Sequence, residues 1–313
     1  MSKPFKTFEE QIEILKSRNL NFINENAAKD ILSTYSYYEI INGYKEVGLE
    51  SDDCFKEGVT FEQLYNLFLM DKKIRTLISI SINELESQLR TAISYVVSKH
   101  YSSNQSLYLN RRNFEKGKVK YNISQRTQLL NKCRKIIEDD RHPYKHYREK
   151  HGNVPPWILV KGMTFGNLIT FYKLQLPNIK DEVVSIMTGI PIELVDDELK
   201  EMIINIFYFL LAHRNNTAHV CRAYNFKTEK SKISYYSKFH ERMRISKAEY
   251  DRGEGQDGLN TLAMALSWFK IYDYPTSNLT IGMLNAIKEY LKLYPLDREF
   301  IIEQIGGEII PHV

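Results

Sequence analysis

Cysteine is scarce in this chain, and the few cysteines present are far apart. Only three occur among 313 residues, at Cys54, Cys133 and Cys221, and no two of them form a C-x-x-C motif. A disulfide framework or a zinc site requires several cysteines at short, regular spacings. We therefore expect reduced thiols, as in cytoplasmic proteins, and no metal site.

Long apolar segments are absent as well. The longest strongly apolar run covers residues 202–212 and contains Asn205, so it is too short to cross a bilayer. The lysines near the start of the chain, Lys3 and Lys6, are not followed by the apolar stretch of a signal peptide. These observations predict a cytoplasmic protein that has no membrane partner.

The sequence also lacks the motifs of several large enzyme classes. It contains no glycine-rich phosphate loop, no G-x-S-x-G motif and no H-E-x-x-H motif. We therefore predict a protein that uses no cofactor.

Charge and tyrosine content permit a nucleic-acid partner without requiring one. The formal net charge is only +4, from 43 basic and 39 acidic residues, so a basic face must arise from local clustering. Tyrosine is frequent, with 21 residues, many of them near lysine or arginine. This mixture suits stacking on unpaired bases, but tyrosine also fills half-buried helix positions with its hydroxyl group in water.

Helical periodicity dominates the sequence, and alternation of period two is scarce. Capping boxes at Thr7–Glu10 and Thr60–Gln63 each predict the start of a helix, and the second helix is predicted to reach His100 with a kink near Ser81. Further helices are predicted over residues 25–35, 124–139, 158–172, 179–188, 196–213, 259–271 and 280–293. The fold class is therefore all-α.

The segments between these helices are polar. Residues 102–122 contain Arg111-Arg112 and three lysines, and they indicate a loop or a poorly packed segment. Residues 252–258 are rich in glycine and indicate a flexible connector.

The most distinctive segment joins an apolar helix to a polar cluster. The run from Ile203 to Ala212 leads into Arg214-Asn215-Asn216-Thr217-Ala218-His219. Arginine carries a permanent charge and a fork of donors that matches a phosphate, and histidine can both accept and donate a proton near neutral pH. Metal-free cleavage of a phosphodiester requires those two capacities. A site that cuts RNA is therefore one hypothesis for this segment, which the residue types alone do not decide.

The spacing of these two residues sets a geometric condition. On an unbroken α-helix Arg214 and His219 lie about 140° apart, because each residue turns the helix by about 100°. A shared face therefore requires a break or a helix start within residues 215–217, where a polar side chain could cap a helix beginning near Ala218. The alternative is a solvated helix end whose arginine lies near the last carbonyl groups.

A second segment repeats the arginine-to-histidine spacing. It runs from Arg141 to His146, but no apolar helix leads into it and Pro143 interrupts it. His142 and His146 would be one turn apart on a helix, yet no acidic or cysteine ligand completes a metal site. We expect neither catalysis nor metal binding there.

Two oppositely charged pairs have helical spacing. Glu86 and Arg90 could line a polar groove, although the usual role of such a pair is modest helix stabilisation. Asp71 and Arg75 have the same spacing and receive the same interpretation.

The segment around His219 carries a resemblance to a known family. Its pattern, Arg214-Asn215-x-x-Ala218-His219-x-x-Arg222-x-Tyr224-Asn225, resembles the signature of the Abi-like abortive infection proteins of the AbiD/AbiF group. These proteins belong to the HEPN superfamily of helical ribonucleases. The resemblance extends over roughly residues 5–230 and includes Thr7 to Asn19, Tyr37-Tyr38, Gly43-Tyr44, Phe55 to Arg75, Glu84 to Arg90, His146 to Pro156 and Thr164-Phe165-Gly166.

The resemblance implies a fold, an activity and partners. It implies an all-α HEPN-type helical bundle with additional N- and C-terminal helices, which forms a homodimer and brings two Arg/His motifs into one cleft. It also implies metal-independent endoribonuclease activity in abortive infection or toxin–antitoxin defence against phage. Some members of the family are restrained by a small non-coding RNA, so such an RNA is an expected partner beside the RNA substrate.

The resemblance also implies roles for individual residues. His219 would be the general acid/base, Arg214 would hold the scissile phosphate, and Asn215 would orient these groups or the substrate. The products would be a 2′,3′-cyclic phosphate and a 5′-hydroxyl group. Some HEPN toxins carry a tyrosine two residues after the histidine, where a partner enzyme adds nucleotides; Cys221 occupies that position here, so this control is not indicated.

Five further residues are candidate RNA contacts: Arg222, Tyr224, Asn225, Glu86 and Arg90. The first three match the family pattern and are interpreted as structural or RNA-contacting.

We expect one Abi-like domain over residues 1–313. It would comprise an N-terminal helical segment at 1–58, a HEPN core at 59–240 and C-terminal helices at 241–313. The alternative function is a non-catalytic RNA-binding or scaffold protein that retains the fold and grips a phosphate with Arg214 and His219.

Overall fold

The computed structural model describes residues 4–51, 53–219, 221–270 and 275–307, in which fifteen α-helices carry the fold. In chain order these helices are α1 (Phe8–Ser17), α2 (Glu25–Tyr37), α3 (Phe61–His100), α4 (Gln105–Tyr108), α5 (Gln125–Ile137), α6 (Tyr144–His151), α7 (Pro156–Leu159), α8 (Phe165–Lys173), α9 (Pro177–Thr188), α10 (Asp197–Ala218), α11 (Ser237–Arg242), α12 (Lys247–Asp251), α13 (Leu259–Ser267), α14 (Pro275–Leu293) and α15 (Arg298–Ile305). The predicted all-α fold class is confirmed.

Strands are confined, among the described residues, to two small antiparallel hairpins. The first pairs β1 (Leu49–Ser51) with β2 (Cys54–Phe55), and the second pairs β3 (Val119–Lys120) with β4 (Ile123–Ser124). Short 3₁₀ or π turns connect several helices at Tyr38–Asn42, Lys45–Val47, Arg111–Asn113, Val160–Gly162, Ile192–Leu194 and Pro295–Asp297.

Both predicted capping threonines begin a helix. The Thr7 hydroxyl accepts the Glu10 amide at 3.2 Å, and the Glu10 carboxylate accepts the Thr7 amide at 2.9 Å, which completes a capping box before α1. Thr60 accepts the Gln63 amide at 3.2 Å, but the Gln63 side chain donates to Asp297 at 2.8 Å. The second box is therefore only half formed, because its glutamine instead fastens α3 to the C-terminal region.

The 40-residue helix α3 is the central element of the fold. It packs against α14, α9, α10, α7 and α8, and it runs without a break through Ser81, where the sequence predicts a kink. Its modest amphipathic bias follows from this position, since neighbours cover it on several sides.

Other departures from the predicted elements have local causes. The helix predicted over 158–172 is divided by the turn at Val160–Gly162, where a Cβ on Gly162 would lie 2.5 Å from Ile136. The segment 102–122 contains α4, a 3₁₀ turn and β3 instead of an irregular loop. The helix predicted to end at residue 271 ends at Ser267, and residue 271 lies outside the described residues.

One continuous cluster of buried apolar side chains extends from Ile12 to Ile305. The cluster includes side chains of α2 from residues 1–58, of α10 from residues 59–240 and of α14 from residues 241–313. Among the described helices, none combines the length and the hydropathy needed to cross a bilayer.

Candidate active site

The helix α10 delivers the Arg/His motif to the protein surface. Asp196 is the N-cap before its first residue, and its carboxylate accepts the Leu199 amide at 2.8 Å; the Phe207 and Leu210 side chains of α10 are fully buried. Its interior is therefore fixed by packing. The polar residues that follow Ala212 stand at its C-terminal end.

The helix continues unbroken through the motif. Residues 215–217 are helical, Ala218 is the last helical residue, and His219 is the C-cap. The Thr217 hydroxyl donates to the carbonyl of Arg214 at 2.9 Å within the same helix, instead of capping a new one. The predicted break or helix start is therefore wrong, and Arg214 and His219 lie about 140° apart around one axis.

The three predicted catalytic residues differ in exposure. Asn215 and His219 are exposed and one turn apart, so they share a face of α10. Arg214 is half-buried on a different side of the helix. A single chain therefore presents an amide and an imidazole on one face of α10 and a guanidinium on another.

The chain beyond His219 is fastened to the helix end. The Cys221 amide donates to the Asn216 carbonyl at 3.3 Å, and the Asn216 side-chain amide donates to the Arg222 carbonyl at 2.8 Å. Sequence reasoning missed Asn216 as a structural residue of the motif. The two hydrogen bonds of Asn216 hold Cys221 and Arg222 against the end of α10, close to His219.

A buried carboxylate on α3 holds the other end of this loop. Asp71 is completely buried, and it accepts the backbone amides of Ala223 at 2.8 Å and Tyr224 at 2.7 Å. The Tyr44 hydroxyl donates to its second oxygen at 2.7 Å, and the Arg75 Nε lies 3.3 Å from that oxygen. Asp71 therefore joins α3, the N-terminal segment and the chain after His219.

The predicted pair of Asp71 and Arg75 does form within α3, but the prediction missed the burial of Asp71 and its bonds to Tyr44 and to the chain after His219. Burial raises the pKa of Asp71, and the hydrogen bonds from Tyr44 and from the Tyr224 amide, together with the Arg75 charge, oppose that rise. The signal was present in the sequence, because Asp71 occupies a position in the apolar register of α3 between Phe68 and Ile74.

The N-terminal segment supports the same loop from outside. The rings of Tyr44 and Tyr224 stack with centroids 6.1 Å apart, and Glu46 forms an ion pair with Arg222 at 3.3 Å. The Tyr224 ring is 1% exposed, so it is not available to stack on a base. Of its two predicted roles, only the structural one fits.

The other candidate RNA contacts also make internal contacts. The Asn225 side chain donates to Gln304 of α15 at 3.4 Å. The Arg90 guanidinium donates to the Val160 carbonyl, to the Met163 carbonyl at 2.7 Å, and to Glu86. Glu86 and Arg90 therefore form the predicted pair within α3, and Arg90 also fastens α3 to the turn before α8. Arg222, half-buried beside Glu46, remains at the surface.

The upstream arginine–histidine segment forms no comparable site. Arg141 is exposed and donates to Asp139 at 2.6 Å, and it lowers the pKa of that carboxyl to about 2. His142 and His146 lie with ring centroids 5.9 Å apart. Among the described residues, no group of three or more histidine, cysteine, aspartate or glutamate side chains could hold a metal ion.

The imidazole nearest to the motif within α10 is structural. His213 is 1% exposed between the edges of Phe209 and Phe226, at centroid distances of 4.6 and 5.0 Å. Burial lowers its pKa, and the Asp257 carboxylate 3.8 Å away opposes that shift. His219 is thus the imidazole at this helix end that is exposed to solvent.

Comparison with known proteins identifies the family. A family model described as Abi-like protein matches residues 30–225, from α2 to the end of the loop held by Asp71. The chain belongs to the Abi-like protein family. Comparisons with curated proteins and with solved structures gave no match.

Membership in the Abi-like family indicates the process in which this chain takes part. The Abi-like family points to a role in abortive infection defence. The matched range contains Tyr44, Asp71 and the whole of α10, so the carboxylate-bound loop lies within the part of this Abi-like chain that defines its family.

Replacing Asp71 with alanine should strongly destabilise the Abi-like chain. We expect the free energy of unfolding to fall by about 3 kcal/mol or more, because two backbone N–H groups and a hydroxyl lose their buried acceptor. Urea denaturation followed by circular dichroism measures this change. Asp251→Ala, which removes an exposed carboxylate paired with Lys247, should change stability little. Equal losses in the two variants would contradict the assigned role of Asp71.

Proposed function

We propose that this Abi-like chain is a HEPN-type endoribonuclease that acts in abortive infection or toxin–antitoxin defence. The observation that carries the proposal is the exposed imidazole of His219, which stands at the end of α10, four residues after Asn215 and five after Arg214. Bonds to Asp71 and Asn216 fix the backbone on both sides of Arg222 and hold the loop that begins at His219. A solvent-facing imidazole on a fixed backbone suits proton transfer at a phosphodiester.

The residues support a mechanism that needs no water in the cleavage step. His219 removes the proton from a ribose 2′-hydroxyl group, the 2′ oxygen attacks the adjacent phosphorus, and the bond from phosphorus to the 5′ oxygen breaks. Protonation of the departing 5′ oxygen by an imidazolium completes the step. The products are a 2′,3′-cyclic phosphate and a 5′-hydroxyl group. Arg214 neutralises the charge that develops on the phosphate, and Asn215 orients it.

The continuous helix favours a site built from two protomers. Within one chain, Arg214 and His219 diverge by about 140°, so they do not face a common phosphate. Two copies related by a two-fold axis can place the guanidinium of one copy opposite the imidazole of the other. A homodimer therefore supplies the pairing that a single α10 does not.

The angle of about 140° between Arg214 and His219 in one chain also favours one alternative function. If no second copy brings the groups together, Arg214 and His219 bind phosphates separately, and the chain is a non-catalytic RNA-binding or scaffold protein. The alternative predicts RNA binding without cleavage, in the wild type and in a His219 variant alike.

Cleavage of RNA should depend on His219 and not on a divalent metal. Incubation of the protein with total RNA in EDTA should give products, and His219→Ala should lower the rate by about 10²- to 10⁴-fold through loss of acid–base catalysis. His151→Ala, which removes an exposed imidazole on α6, is the matched control and should cut normally. Equal RNA binding with no cleavage by either the wild type or the variant would support the alternative.

Mixing two inactive variants tests the shared site. If each site combines two protomers, equal amounts of Arg214→Ala and His219→Ala should recover about a quarter of the wild-type rate, because half of the dimers are mixed and each retains one complete pair. Refolding the two proteins together and measuring cleavage of a labelled RNA gives the rate. No recovery, despite mixed dimers detected by mass spectrometry, would place each Arg/His pair within one chain.

A restraining non-coding RNA should accompany the protein. We expect a discrete small RNA to co-purify with the chain carrying His219→Ala when it is expressed with its neighbouring transcribed region. Sequencing of the extracted RNA identifies it. Preparations that never contain nucleic acid, before any nuclease treatment, would count against this mode of restraint.

A further inference from the structure

One short segment holds the entire positive excess of the chain. Residues 111–126, here called the basic hairpin, contain six basic residues and one acidic residue, a net charge of +5. The whole chain carries +4, so the remaining residues together carry −1. The weak overall charge therefore conceals a concentrated basic surface.

Most of this charge is free to meet a partner. The one acidic residue, Glu115, is neutralised by Lys180 at 3.0 Å, and Arg126 donates at 2.9 Å to the Phe114 carbonyl at the base of the hairpin. The other five basic side chains are exposed, and none forms an ion pair within the described residues: Arg111, Arg112, Lys116, Lys118 and Lys120. Uncompensated like charges at this density attract a polyanion.

The basic hairpin is anchored to the helical body. Phe114 is buried against the edge of Phe171 at a centroid distance of 5.5 Å, and the Glu115 amide donates to the Leu174 carbonyl at 2.8 Å. Gly117 has a φ of +65°, and a Cβ there would lie 2.7 Å from Leu174. The charges are thus held at a fixed place beside the end of α8.

An exposed tyrosine occupies the tip. Tyr121 and Asn122 form the two-residue turn between β3 and β4, with φ values of +50° and +61°. A bulky residue is unfavourable in this left-handed conformation, yet the Tyr121 side chain is 86% exposed and gains no burial in return. The Lys120 ammonium lies 5.1 Å from its ring centroid. A strained, solvent-facing ring beside cations indicates contact with something outside the chain.

The basic hairpin lies at one end of a stripe that leads to His219. Tyr208, Leu211, Asn215 and His219 follow one another at three- or four-residue spacing, so they share one side of α10. The Lys173 ammonium at the end of α8 lies 5.5 Å from the Tyr208 ring. From Tyr208 to His219 the stripe spans twelve residues and is about 16 Å long.

The charges of the hairpin extend to the start of this stripe. Burial lowers the pKa of Lys173, and the nearby charges of Lys118 and Lys180 lower it further. The positive charge of the basic hairpin therefore reaches Lys173, which lies beside the Tyr208 end of the stripe.

We propose that the basic hairpin is a second contact site for single-stranded RNA, from which the strand runs along the α10 stripe to His219. Lysine and arginine neutralise successive phosphates, and the Tyr121 ring stacks on a base, a combination that suits unpaired strands of any sequence. The inference rests on the proposed function for RNA as the partner, but it does not require cleavage. An unpaired strand matches the site better than a bilayer does, because it offers both a line of charges and flat rings.

Binding is measured in the full-length His219→Ala protein, so that cleavage does not consume the probe. Fluorescence anisotropy with labelled oligouridine RNA gives the affinity over a series of salt concentrations. Replacing both Lys118 and Lys120 with alanine should reduce the slope of log affinity against log salt by about 0.7 for each lysine that contacts a phosphate. The matched control replaces Lys288 and Lys292, exposed lysines of α14, and should leave the slope unchanged.

The tip residue provides a test that separates binding from folding. Tyr121→Ala should weaken RNA binding about tenfold, whereas Tyr121→Phe, which retains the ring, should bind normally. Tyr121→Gly relieves the left-handed backbone, so it should weaken binding while Tm stays equal or rises. Tyr95→Ala, at an exposed ring on α3, is the control and should bind as the parent does.

Four outcomes decide the proposal. Unchanged affinity in all the hairpin variants overturns it, and so does a Tyr121 effect that tracks a fall in Tm. Hairpin-dependent binding to phosphatidylserine vesicles, with RNA binding unaffected, overturns it in favour of a membrane partner. Hairpin-dependent RNA binding supports it, even if the wild-type protein proves unable to cut, in which case the proposed ribonuclease function alone fails.

Discussion

The buried carboxylate of Asp71 is the constraint on which the arrangement of the site depends. Two backbone amides from the chain after His219, a hydroxyl from the N-terminal segment and a guanidinium from the next turn of α3 meet at it. A buried carboxylate is costly without such donors, and each donor is costly without an acceptor. These groups therefore stabilise one another only when α3, the N-terminal segment and the end of α10 occupy their observed places. The position of His219 is thereby tied to the folding of distant parts of the chain.

Much of the fold follows from local sequence signals. Thr7 and Thr60 begin helices because their hydroxyl groups cap free amides, and the apolar spacing of α10 and α14 identifies their buried faces. The extent of α10 was harder to predict. Asparagine and threonine favour helix starts, but Thr217 instead bonds to a carbonyl one turn earlier and remains helical. The local sequence does not decide whether Thr217 caps a new helix or bonds to the Arg214 carbonyl. The path of the chain beyond the helix is instead fixed by its hydrogen bonds to Asp71, which is far away in the sequence.

In the candidate site too, some features are visible in the local sequence and others depend on distant contacts. The Arg/His motif is visible in the sequence, whereas the residues that fix it were assigned only weak roles. The spacing of Asp71 and Arg75 suits a surface pair equally well, and only the packing of α3 shows that the carboxylate is buried. The basic hairpin escaped prediction because its strands are two residues long and its turn, Tyr121-Asn122, contains no glycine. Averaging charge over the whole chain concealed it further.

The central helix α3 has a consequence for dissecting this protein. The family match ends at residue 225, yet α14 lies along α3, and Lys73 and Leu77 of α3 meet Glu289 and Gly282 of α14. Truncating the chain after residue 225 would remove α14 and expose apolar side chains of α3, including Met70. The exposed apolar surface would promote self-association. Backbone amides in the middle of α3 should accordingly be among the slowest to exchange with deuterium, since opening them requires releasing both halves of the molecule at once.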